Sequence, residues 1–98
     1  MGVVFIERDE IDEVFKKLID VWISVLDEAE KRLNVEILDS ELDEVEVFST
    51  PGYRVKEVVV KAFTDSRTLR IPIAKLKYYD DAVEAEIYSV EKALSEIY

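Results

Sequence analysis

The chain has 98 residues, 49% hydrophobic and 37% charged, with 23 acids against 13 bases and a formal net charge of −10. This composition describes one globular domain large enough for a single core, not a disordered chain. Cysteine and histidine are both absent, which excludes a disulfide framework, a thiolate metal site, a thiol nucleophile and an imidazole base, and argues against an enzyme. Few glycines and prolines beside many Glu, Val and Ile fit a heat-adapted intracellular protein.

In chain order, GVVFI reads as a first strand. MGVVFIERDE lacks the basic start of a signal peptide, and Ile6 stands where a myristoylation signal needs Ser or Thr. Residues 9–33 read as one long helix. Ile11, Phe15, Leu18, Trp22, Val25 and Ala29 recur at spacings of three and four, and Val14, Val21, Leu26 and Leu33 widen the stripe. Asp9 is the expected N-cap, Glu10, Asp12 and Glu13 suit the positive end, and Lys31 and Arg32 the negative end. Asn34 is the expected stop, since Asn tolerates the left-handed conformation. Around LIDVWISVL the apolar band covers most of the circumference, so a sheet on one side leaves a second side to fill. Either another helix of the same chain or a second copy can fill it; for the copy, the expected interface is Trp22, Ile19, Ile23 and Leu26. That run is too short to span a bilayer and contains Asp20. The expectation is a soluble, cytoplasmic protein with no membrane partner.

β patterns follow. NVEIL and VEVFS alternate, and RVKEVVVKAFT is a Val-rich strand, apolar on both faces in its middle. Thr50-Pro51-Gly52-Tyr53 predicts a type II turn, and Asp65-Ser66-Arg67 marks the next. TLRIPIAKLKYY alternates through Leu69, Ile71 and Ile73, with Pro72 pointing to an edge strand or a bulge. One conflict stays open: a two-residue turn at Pro51-Gly52 sets Glu46 opposite Glu57, a like-charge pair, whereas a shifted register sets it opposite Lys56. In DDAVEAEIYSVEKALSEIY, the helical stripe Val83, Ile87, Val90, Leu94 and Ile97, with Asp81 and Glu84 as an acidic capping box, favours a long helix. The alternative is a strand through AVEAEIY and a short helix capped by Ser89. The expected architecture is one α+β domain over residues 1–98: a meander of four or five mostly antiparallel strands, a long N-terminal helix and a C-terminal helix.

Charge is divided along the chain. Residues 1–50 carry 15 acids and 5 bases, residues 51–77 carry 2 acids and 7 bases, and residues 78–98 carry 6 acids and 1 base. The densest acidic stretch is VEILDSELDEVEVFS, with Glu36, Asp39, Glu41, Asp43, Glu44 and Glu46. As a calcium loop starting at Asp39 it fails, because Glu44 occupies the position of the turn glycine and Thr50 that of the bidentate Glu. Two glycines cannot build a phosphate loop. Arg54, Lys56, Lys61, Arg67, Arg70, Lys75 and Lys77 form a basic middle, but aromatics are not interleaved with them and the whole chain is repelled by phosphate. Their expected role is pairing with the acidic flanks, not direct nucleic-acid binding. The six acids then read either as a solvated strand face or as a contact surface for a basic protein partner.

In size, in the acidic helix ERDEIDEVFKKLIDVWISVLDEAEKRL and in the Val-rich meander, the chain resembles the anti-CRISPR proteins of viruses infecting hyperthermophilic archaea. In particular it looks like the family that inhibits type I-D interference by binding the effector's large subunit. The resemblance implies a homodimer in the host-cell cytoplasm, without cofactor or catalytic centre. The other reading is a structural or regulatory homodimer of a thermophile or its virus, whose acidity serves solubility alone.

Overall fold

A computed structural model describes residues 3–7 and 11–97. The element order is β1 (Val3–Glu7), α1 (Ile11–Leu33), β2 (Asp39–Ser49), β3 (Arg54–Phe63), β4 (Thr68–Tyr78), β5 (Ala82–Ile87) and α2 (Val90–Ser95). All strands join one antiparallel sheet in the order β1-β5-β4-β3-β2. β2 to β5 run as a meander, and β1 pairs with β5 from the far end. The fold is α+β, as the sequence indicates, and Val3–Glu7 supplies the N-terminal strand.

The meander is punctuated by two turns of the same chemistry. Thr50 N donates to the Tyr53 carbonyl (2.9 Å), while Thr50 Oγ1 accepts from Gly52 N and Tyr53 N at 3.2 and 3.3 Å. Thr64 repeats the arrangement with Arg67 and Ser66. In both, a threonine hydroxyl holds the backbone donors that the tight turn leaves over. The expected type II geometry at Pro51-Gly52 is not adopted, because Gly52 does not take a positive φ, which that turn demands.

The register conflict is resolved by a bulge. Ser49 pairs with Arg54 and Phe48 with Val55, as the two-residue turn requires; Val47 is then extruded, and Glu46 lies opposite Lys56. One extra residue preserves the turn and removes the like-charge pair. A second bulge, in β4, lies between the pairs Val58↔Ala74 and Val59↔Pro72. It accommodates Pro72, which has no N–H to give a ladder, by leaving the next residue, Ile73, out of the register. Pro72 therefore marks a bulge in the central strand; the edge-strand alternative is wrong. The bulge also changes the phase of β4, so that Leu69 and Ile71 before it, Ile73 within it and Ala74 and Leu76 after it all join the core. The Ile73 carbonyl accepts from Tyr88 N at 2.8 Å.

α1 lies against β4, β5 and α2, and its Val14, Leu18, Val25 and Ala29 share one core with Val58, Val60 and Ala62 of β3, Ile71 and Leu76 of β4 and Val83 and Ala85 of β5. The contact stripe is rotated from the expected one. Val14 is fully buried, whereas Phe15 is 38% exposed and Leu33 is also open. Asn34 ends the helix with φ 53°, as its chemistry suggests. Asp9, the expected N-cap, lies outside the described residues. The C-terminal segment corrects the favoured reading: residues 82–87 form β5, not the first turns of a long helix. β5 is paired on both sides, by β1 and β4, and places Ala82, Val83 and Ala85 in buried positions. Two ladders of hydrogen bonds outweigh a helical stripe that a lone helix would have to justify by packing. Ser89 then caps the short α2, accepting from Lys92 N at 3.2 Å.

Candidate functional site

The six acids of the 36–46 stretch do not form one patch. Glu36 lies in the exposed link between α1 and β2, where Ile37 N is held by Glu30 Oε2 at 2.9 Å. The other five lie on β2, the outermost strand. Strand alternation divides them: Asp39, Glu41 and Asp43 face away from α1, and Glu44 and Glu46 share the face of Ser40 and Leu42, which look toward it. Trp22 fixes that assignment, its Nε1 donating to Ser40 Oγ at 3.0 Å.

Four of the acids meet bases of β3. Lys61 Nζ lies 3.9 Å from Glu41 and 3.4 Å from Asp43, Lys56 Nζ 3.6 Å from Glu44, and Arg54 Nε 3.9 Å from Glu46. Glu44 also accepts from the Tyr78 hydroxyl at 3.3 Å, and Lys56 lies 5.5 Å from the centroid of that ring. Asp39 turns back on its own neighbour, accepting from Ser40 N at 2.8 Å. The pairing of the basic middle with an acidic flank is thus realised between β2 and β3. Exposed pairs of this kind contribute only about 0–1 kcal/mol each, so they set register and local charge more than stability.

Beyond Glu46 the strand becomes apolar. Val45, Val47 and Phe48 are 39%, 51% and 50% exposed. Phe48 packs on Tyr53 with ring centroids 5.9 Å apart, and Tyr53 on Tyr79 at 5.7 Å. Lys77 Nζ sits 4.1 Å from the Tyr53 centroid; a hydrogen bond to Tyr79, with the nearby phenols and Glu84, holds its ammonium above the usual lysine range. A cleft beside the β2–β3 turn is lined by Tyr53, Arg54, Lys56, Tyr79 and Asp80, and both of its bases are turned to the acids of β2.

The expected dimer residues separate into two pairs. Ile19 and Ile23 are 46% and 63% exposed, and Phe15 extends their line by one turn. Trp22 and Leu26 instead pack partly against the core. α2 covers only the far end of α1, where Arg32 pairs with Glu91 and with Glu28. The hydrogen bond from Arg32 holds the Glu91 carboxyl below its ordinary range. Sequence reasoning placed Phe15 in the core; its i, i+4 relation to Ile19 and Ile23 is the signal that links it to the outer line.

The titration most displaced from its ordinary value lies outside these surfaces. Burial, with Glu57, Glu86 and Glu96 nearby, pushes the Tyr88 phenol up to about 12. Lys92 Nζ stands 4.4 Å from its ring centroid and 3.4 Å from Glu86, while burial and the surrounding carboxylates keep the phenol neutral. Among the described residues, no group of three or more acids is gathered to hold a metal ion, and no helix is long and apolar enough to cross a membrane. No family model, curated protein or solved structure matches the chain.

Proposed function

We propose that the chain is a non-catalytic, acidic binding protein that docks on a basic surface of a nucleic-acid-handling effector. In keeping with the resemblance in build, the partner proposed is the large subunit of a type I-D CRISPR interference complex, and the consequence of binding is inhibition. The observation that carries this reading is the condition of β2: four of its acids are paired with bases of β3, yet their side chains stay open to solvent at the rim of the sheet. Acids so placed can accept further cations, speed encounter with a positive surface and compete there with nucleic acid.

The test is binding of the purified large subunit at low and high salt, followed by the variant Glu41→Gln/Asp43→Asn/Glu44→Gln. Amides are the informative choice, since lysines at these positions would be set against Lys61 and Lys56 and would confuse folding with binding. Loss of binding in the folded variant supports the reading; undiminished binding removes β2 as the contact.

The exposed line Phe15, Ile19 and Ile23 favours a second reading, a homodimer of structural or regulatory role with no inhibitory partner. Apolar residues grouped on one helix flank gain by being covered. Binding of the large subunit separates the two readings, and sedimentation tests the dimer: Ile23→Lys converts a dimer to an 11.4 kDa monomer, and a monomeric parent protein removes the dimer altogether.

A further inference from the structure

β2 is eleven residues long, about twice the usual strand, and none of its residues is buried. β3 bonds to one side of its backbone; the other side offers N–H and C=O groups to any strand that fits beside it. Proteins blunt such edges with lysine, proline or bulges. β2 has neither lysine nor proline, one bulge at Val47, and five carboxylates.

Those carboxylates determine which strand can be added. A second copy is a poor match: pairing β2 with itself brings Asp39, Glu41, Asp43, Glu44 and Glu46 against the same five residues, and like charges across strands are destabilising. A basic strand is a good match on both of its faces, because Glu41 and Asp43 flank one face of the edge and Glu44 and Glu46 the other. Their distances to the β3 bases are long, 3.4 to 3.9 Å, and the four side chains remain 36 to 58% exposed. Each therefore has room for a second cation. Past Glu46 the requirement changes from charge to apolar contact, at Val47 and Phe48.

We propose that β2 accepts a sixth strand from the partner protein: an extended segment with consecutive Lys or Arg residues along Glu41–Glu46 and apolar residues beside Val47 and Phe48. This rests on the reading of β2 as the partner surface and adds the mode of contact. Main-chain hydrogen bonds hold the segment, and the two halves of the edge set its direction.

The probes are the blocked peptide KRKRTVTV, its reverse VTVTRKRK, and versions of each N-methylated at alternate residues in either of the two frames. N-methylation keeps the charge and removes donors from one edge of the peptide only. The expected result is binding of one sequence order, with slowed amide exchange along β2. One methylated frame should then bind like the parent peptide and the other about tenfold or more weakly, through the loss of two or three main-chain hydrogen bonds. Equal binding of the two frames, with unchanged amide exchange, overturns strand addition while leaving an acidic docking surface in place. No binding of any peptide at low salt, together with no binding of the large subunit, overturns both.

Discussion

β2 and β4 are each eleven residues long and are separated in the sheet only by β3, yet none of the residues of β2 is buried and six of β4 are. Both contain a bulge, and the two bulges solve different problems. In β4 the irregularity takes up a proline and shifts the side-chain phase, so that an aliphatic run feeds the core without interruption. In β2 it moves one residue out of the ladder, so that a tight turn and a favourable row of charges can coexist. The interior strand uses its bulge for packing and the rim strand for electrostatics. That contrast locates buried packing in one element and exposed, paired charge in the other.

The sharpest way to break the contrast is truncation. Ile71→Ala in β4, where the side chain is fully buried, should cost about 2–5 kcal/mol in urea unfolding. Val45→Ala in β2 should cost about 0.5 kcal/mol or less. Similar losses at the two positions would mean that β2 is covered in solution.

The next effect is alkaline and concerns the Ile73 bulge through its neighbour Tyr88. Burial pushes the Tyr88 phenol up to about 12 in the folded state, above the ordinary phenol value of about 10. Its contribution is therefore complete below pH 10 and is lost as the pH rises through 12, with a total on the order of 2 kcal/mol. Unfolding should become easier over that window, and Tyr88→Phe should flatten the dependence. A pH profile identical in the two proteins would contradict the assignment.

Smaller effects test the β2–β3 hairpin. Deleting Val47 removes the bulge and keeps Glu46 opposite Lys56, so stability should change by about 1 kcal/mol or less. Cross-strand proton contacts between Glu46 and Lys56 should persist, and their replacement by contacts to Glu57 would show that the bulge does not set the register. Gly52→Ala should be neutral or stabilising by a few tenths of a kcal/mol, because an added Cβ meets only Thr50 Oγ1 at 3.9 Å. A clear loss would restore the type II turn expected from the Pro-Gly order.

These elements also show what the sequence carries by itself. The length of α1, its stop at Asn34 and the two turns were legible because each depends on residues within a few positions of one another. The orientation of α1 was less so. Apolar residues ring its middle, and only the sheet decides that Val14 goes in while Phe15 stays out. The C-terminal segment is ambiguous in sequence because AVEAEIY satisfies both periods; pairing with β4, its neighbour along the chain, and with the remote β1 settles it as a strand. For the candidate site, the acids themselves were plain to see. Their division between two faces, and their engagement by Lys61, Lys56 and Arg54, depend on a bulge that follows from a conflict between turn and charge. Neither alone predicts it.

The central claim is that the rim of β2, rather than the flank of α1, meets the partner. The measurement that tests it most directly is amide hydrogen exchange on the protein alone and bound to the purified type I-D large subunit, read residue by residue. Slowed exchange concentrated in Asp39–Ser49, with Phe15–Ile23 unchanged, is the predicted result. Protection along α1 with β2 left as it was, or a large subunit that does not bind, would contradict it.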